Sequence, residues 1–385
     1  MRHSRRFPIA VVTALLLAAS CSSASPQKVG GAASSTTQPA PPAPTTAPPA
    51  PAQPDNVYAA TAVGKMAPAT DGVPPRVYVP NSDAASVDVI DPATFKVVDR
   101  FRVGKVPQHI TPTWDLKQLY VDNTEGDSLT PVDPVSGKPG KPIPVQDPYN
   151  LYFTPDGSKA IVVAERFKRL DFRNPTTWEL IKSVPVSRAG VDHLDFSADG
   201  RYLLASCEFS GWVVKVDVVT MEVVGELQVG GQPIDVRLSP DGSVFFVANQ
   251  YLPGHKDGVT IVDGESMKSV GFIPTGKGAH GLYFSRDAKS LYVTNRLGGS
   301  ISVIDVATRQ VAATWAVPNG SPDMGGVSSD GNQFWVSGRY NSEVYVLDTR
   351  SGELLARIPV GKGPHGVAIF PQPGRYSLGH TGNYR

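Results

Sequence analysis

Cysteine is almost missing from this chain. Cys21 and Cys207 are the only two in 385 residues, which excludes a disulfide framework. Neither sign of charge dominates, with 36 Lys and Arg against 35 Asp and Glu. A fold that grips nucleic acid by bulk positive charge is therefore excluded. Long apolar runs are lacking too: the longest, Ile9 to Ala19, is well short of the roughly 20 residues that span a bilayer. There is no P-loop, no dinucleotide glycine fingerprint, no HExxH, no GxSxG elbow and no CxxCH for covalent haem. Glycine (37) and proline (36) are abundant, so turns must be frequent. With 41% hydrophobic and 18% charged residues, the composition is that of a globular protein.

Arg2, Arg5 and Arg6 precede the apolar run, the layout of an export signal over residues 1–20. Loss of those three arginines takes the formal charge from +1 to −2. The run ends in Leu17-Ala18-Ala19-Ser20-Cys21, which resembles the lipobox of bacterial lipoproteins, although Ala18 stands where that pattern prefers Leu. The resemblance implies lipidation at Cys21 and a membrane anchor facing the periplasm or the cell exterior. Residues 22–56 are mostly Ser, Thr, Ala, Gln and Pro. Such a stretch cannot bury enough surface to offset its ordering entropy and reads as an extended spacer.

The remainder repeats. Taking the Tyr of Leu291-Tyr292-Val293-Thr294-Asn295 as marker, equivalent positions are Tyr78, Tyr120, Ile161, Leu203, Phe246, Tyr292 and Trp335, with spacings of 42, 41, 42, 43, 46 and 43. The longest spacing accommodates an insertion over Tyr251–Asp257. Each unit carries four short apolar runs. Between the first two lie turns such as Thr154-Pro155-Asp156-Gly157, read as tight hairpins in which both Asp and Gly take positive φ. Four strands in about 42 residues describe a propeller blade, and seven units give an all-β, seven-bladed propeller. His365–Phe370 has no unit after it, so it should complete the blade begun near Val77, leaving Gly374–Arg385 without an assigned place.

Tyr292-Val293-Thr294-Asn295, Val303-Ile304-Asp305 and Ile358-Pro359-Val360-Gly361-Lys362-Gly363-Pro364-His365-Gly366 together resemble the YVTN repeat of YncE-like and surface-layer-like extracytoplasmic propellers. The resemblance covers about residues 57–371. It implies the fold; for function it implies little, since the family includes many members of unknown role and related propellers carry haem, copper or lactonase sites.

Asp91, Asp133, Asp171, Asp217, Asp263, Asp305 and Asp348 recur at the end of the third strand. Recurrence marks them as turn residues that accept backbone N–H bonds. The loop entering each innermost strand behaves differently. Aligned on the turns, it supplies one ring of His109, Asn150, His193, Asp235, Gly281, Met324 and Gly366, preceded by Gln108, Tyr149, Asp192, Ile234, His280, Asp323 and His365. These residues vary from blade to blade, as a single shared site on the channel axis requires. Imidazoles beside carboxylates suit a transition metal, an anion or a polar small molecule. His109, His193, His280 and His365 are the candidate metal ligands, and Asn150, Asp192, Asp235 and Asp323 the candidate ligand contacts. Arg296 and Arg339, just after the second strand, are candidates to clamp an anion. Glu165, Arg166, Cys207 and Glu208 share that loop position; His255 and His380 lie outside both rings.

The expectation is a membrane-anchored binding module that takes a small polar or anionic ligand, or a surface protein, through one mouth of its channel. No cofactor is required by any motif. The alternatives are a metal or redox propeller on the His/Asp ring, with a divalent or transition ion, and a lactonase-like hydrolase using Asp192, Asp235, Asp323 and Glu165.

Overall fold

A computed structural model describes residues 56–385 except 251, 253 and 381. The export signal, Cys21 and nearly all of the spacer lie outside the described residues. From Arg76 onward the chain forms seven antiparallel sheets built around four blade strands each, consecutive in sequence in every blade but the first. Blade 4 is typical, with strands Val191–Phe196, Tyr202–Cys207, Trp212–Asp217 and Glu222–Gln228. Its two inner strands are buried at every residue, whereas the outermost alternates between exposed and half-buried. Radial position therefore sets the pattern: inner strands touch neighbouring blades on both faces and are buried throughout, polar residues such as Asp192, His193 and Asp195 included.

Seven hydrophobic clusters hold the ring, one in each gap between neighbouring blades. Closure follows the expected route: Ala368–Phe370 pairs with Arg76–Tyr78 as the inner strand of the first blade. Trp335 from the seventh blade and Val77 from the first share the cluster across that seam.

The repeat alignment needs one shift. Leu204, not Leu203, sits opposite Asp195, the pairing equivalent to Phe246 with Arg237 and Tyr292 with Tyr283. Two turn expectations also change. In the Asp-Gly turns only the glycine has positive φ, as at Gly157 (+69°). The aspartate instead accepts from Thr154 Oγ1 and the Ser158 N–H, so a wider loop replaces the two-residue turn. Where glycine is replaced, Leu116 and Ala288 themselves adopt φ of +65° and +57°. Six of the seven third-strand aspartates accept turn N–H or hydroxyl groups, as Asp217 does from Val219 and Thr220. Asp171 does not. It is buried in mid-strand against Arg169, Arg173 and Ser183, and Asn174 takes over the turn.

The segment Gly374–Arg385 enters the channel. Ser377–Gly379 and Asn383–Tyr384 form a small hairpin that pairs with the inner strand of blade 3, Gly379 opposite Tyr152. Arg385 reaches Asp195 with one nitrogen at 2.9 and 3.0 Å from the two carboxylate oxygens. Tyr58, on the segment that precedes the first blade, lies 4.4 Å beneath the Arg385 guanidinium. These two segments close the channel on the face of the Asp-Gly turns. Among the described residues no helix is long and apolar enough to cross a membrane.

Candidate functional site

Both candidate rings face the channel because the inner strands are bulged where the rings lie. Pairing in blade 4 jumps from Val191–Cys207 to Leu194–Ala205, leaving Asp192 and His193 opposite Ser206 alone. Blades 2, 5, 6 and 7 shift at the equivalent place. A bulge sets two residues against one and re-aims their side chains, so neighbours in sequence both reach the axis. A hydroxyl pins the bulge in three blades. Thr294 Oγ1 accepts the Gly281 N–H and donates to Asp323 O, both at 2.7 Å. Ser337 does the same between Met324 and His365, and Ser206 between His193 and Ile234.

On one side of the channel the histidines are fully engaged. Asp323 accepts from His365 Nδ1 at 2.6 Å and from Arg296 at 3.1 Å, with His280 Nδ1 at 3.3 Å. Burial works to raise the Asp323 carboxyl, but these neighbours outweigh it and hold the pKa well below the usual carboxylate range. Arg296 lies 3.0 Å from His280 Nε2 and also bonds Gln250. Arg339 spends its N–H groups on Ser82 and the Gly363 carbonyl. The two arginines thus bond separate groups of the protein and do not meet as a clamp.

The other side differs. His109 and His193 are wholly buried, and neither nitrogen of either ring has a hydrogen-bond partner. His193 Nδ1 approaches Asp192 to 2.8 Å, but out of bonding alignment. His380, from the channel-filling segment, meets both edge to face, with ring centroids 4.9 Å from His109 and 4.5 Å from His193. Asn150 Nδ2 lies 3.2 Å from its Nδ1. One nitrogen from each of the three rings falls within 4.8 Å of the others. Burial pushes His193 down to about 4 and holds His109 and His380 well below the ordinary value, so all three are neutral at pH 7 and able to offer lone pairs. His380 was the residue sequence reasoning missed. The one available signal was that it belongs to a small set of histidines, in a segment outside the repeat.

The proposed hydrolase acids do not gather. Asp235 accepts the N–H groups of Val236 and Leu282, Asp323 is ion-paired, and only Asp192 and Glu165 lie towards the mouth. There, burial lifts Asp192, Glu165 and Glu208 to about 8, and the Cys207 thiol up to about 12, which leaves the thiol inert. Beside these acids a cleft of about 370 Å³ opens between blades 2, 3 and 4, lined in part by Gln108, Tyr149, Glu165, Arg166 and Phe209. A roomier surface hollow of about 710 Å³ lies between Asn56–Pro68 and Gly374–Arg375, lined mainly by small and apolar residues.

Residues 51–375 match the YNCE-like beta-propeller family. The chain belongs to that family. Among curated relatives, the dihydro-heme d1 dehydrogenase of Pseudomonas aeruginosa is 26% identical over 274 residues, 67% of this chain and 50% of that protein. The uncharacterized protein YncE of Salmonella typhi is 28% identical over 174 residues, 42% of this chain and 48% of that one. This YNCE-like chain thus spans about half the length of the curated relatives it matches. A functionally unknown protein from Desulfotomaculum acetoxidans superposes with a TM-score of 0.64 at 16% identity, over 76% of this chain and 98% of that one. Dihydro-heme d1 dehydrogenase NirN in complex with DHE does so with a TM-score of 0.57 at 18% identity, over 84% and 83%. Both likenesses show the shared fold.

Proposed function

We propose that this YNCE-like propeller is an exported binding module, tethered to the membrane through a lipidated Cys21, that takes a small ligand at its channel mouth. The observation that carries the reading is the cleft between blades 2, 3 and 4, where the outer of the two candidate registers (Gln108, Tyr149) meets the second-strand loops (Glu165, Phe209). Its volume falls in the range of ordinary ligand pockets. Phe209 is 62% exposed and offers an apolar wall, while Glu165 offers a carboxyl group to the cleft. Arg296 and Arg339 are bonded within the protein, so the chemistry favours a ligand with a flat apolar body and a hydrogen-bonding polar end.

A tetrapyrrole is the second reading, favoured by the relative whose name is dihydro-heme d1 dehydrogenase. Calorimetric titration with tryptamine, indole-3-acetate and haemin separates the cases. Saturable tryptamine binding that Glu165→Gln and Phe209→Ala each weaken about tenfold supports the first. Haemin binding with a shifted Soret band and no response to tryptamine supports the second. Silence towards all three rejects the mouth as a small-ligand site.

A further inference from the structure

We propose that His109, His193 and His380 form a transition-metal site in which the third ligand comes from the C-terminal segment, so that the metal fastens that segment inside the channel. The inference deepens the reading of the channel as a binding site and rests on it, but not on the identity of the ligand at the mouth.

The argument is one of unmet valence. A buried imidazole left without partners forgoes hydrogen bonds that water would supply, and such unmet polar groups are costly to keep. His109 and His193 leave four ring nitrogens in that condition within one small volume. Elsewhere in the same channel the protein satisfies its histidines with care, as Asp323 and Arg296 do for His365 and His280. The contrast within one ring points to a group that takes nitrogen lone pairs. Three imidazoles with ligand atoms mutually within 4.8 Å suit Zn²⁺ or Cu²⁺ and are poor hosts for Mg²⁺ or Ca²⁺, which take oxygen. Carboxylates stand near enough to balance the added charge: Asp192 at 2.8 Å from His193 and Asp235 at 4.0 Å from His380. Carboxylates in the outer shell offset the charge of a bound ion. Asn150, beside His380 Nδ1, sets the tilt of the third ring.

The placement of His380 gives the site a mechanical consequence. It lies between the two short strands of the channel hairpin, with its N–H bonded to the Leu151 carbonyl. An ion bound to it and to blades 2 and 4 crosslinks the hairpin to two blades that flank the one it pairs with. Metal binding and retention of the segment are then linked equilibria.

The test uses the full-length protein purified without chelator or immobilised metal, stripped, and titrated with Zn²⁺ and separately with Cu²⁺. One equivalent per chain is expected, with affinity falling at least a hundredfold in His109→Ala, His193→Ala and His380→Ala and unchanged in His255→Ala. Hydrogen exchange at residues 376–384 should slow on metal addition in the native chain and not in His109→Ala, a readout independent of any ligand at the mouth. Circular dichroism identifies variants that fail to fold; for those, the His→Gln form is measured instead. Absence of stoichiometric binding, or binding indifferent to His380, overturns the proposal. If tryptamine or haemin still binds in that event, the mouth reading stands without the metal.

Discussion

Arg385 should carry several kcal/mol of stability although it lies at the far end of the sequence. Its partner Asp195 is fully buried and accepts, besides Arg385, the N–H groups of Phe196 and Leu238 and Nδ2 of Asn383. Those donors soften the carboxylate but do not neutralise it. Arg385→Ala therefore leaves an anion without a cation, and breaking a buried pair from one side costs about 3–5 kcal/mol. At about 2.1 cal/mol/K per residue, a propeller of this size has an unfolding entropy near ~0.7 kcal/mol/K, so Tm should fall by about 4–7 °C. Asp195→Asn strands the cation instead and should cost a similar amount. The double variant should be no worse than either single, because it leaves no unpaired charge; the non-additivity is the signature of direct coupling. Urea unfolding of the four proteins, followed by tryptophan fluorescence, measures all three quantities. A loss under about 1 kcal/mol in Arg385→Ala, or simple additivity, would show that the segment merely rests in the channel.

Thr294→Val removes the hydroxyl that bridges the Gly281 N–H and the Asp323 carbonyl; stability should drop by about 1–3 kcal/mol, and Thr294→Ser should restore most of it in the same urea assay. Ala288→Gly relieves a residue held at φ +57° and should raise the unfolding free energy by up to about 1 kcal/mol, with any clear loss counting against the strain argument. Glu165 and Glu208 have carboxyls lifted by burial to about 8, above their unfolded values near 4.3. A raised folded pKa means the native state holds extra protons, so this contribution is present in full below about pH 4 and is lost as pH rises through 8. Midpoints measured from pH 5 to pH 9 should therefore decline, and less steeply in a Glu165→Gln/Glu208→Gln variant; parallel profiles would refute the assignment.

The propeller was legible because its determinants are local and repeated. Period-2 runs, turn glycines and a spacing near 42 residues recur seven times, so an error in one blade is outvoted by six. Even so, the adjacent Leu203 and Leu204 hid the register in blade 4, although Leu204 follows its turn Asp199 at the same interval as Phe246 follows Asp241, and Asp171 passed as a turn residue because Asn174 performs its task three positions on. The site was legible only as departures from the repeat. His109 and His193 were found because neighbouring units carry different residues there. The bulges that let adjacent residues share the axis were not visible, since a register slip between paired strands leaves no trace in either strand's own alternation. His380 and Arg385 were beyond reach for a different reason: their partners are His193 and Asp195, contacts that no local pattern encodes.

A ring of seven similar blades would by itself make a near seven-fold symmetric channel and no distinct site. The hairpin at Ser377–Tyr384 removes that equivalence, because it can pair with one inner strand only and pairs with that of blade 3. The blades on either side of it then contribute the partnerless imidazoles His109 and His193, and the open cleft lies above the same three blades. Across the channel, where no added strand intrudes, Asp323 and Arg296 close the remaining histidines into a saturated network. Chemistry and access are thus displaced to the side where the segment enters. A variant in which that segment is loosened, such as Arg385→Ala, should disturb the His109 and His193 environment while leaving the Asp323 network intact, which imidazole proton shifts would report ring by ring.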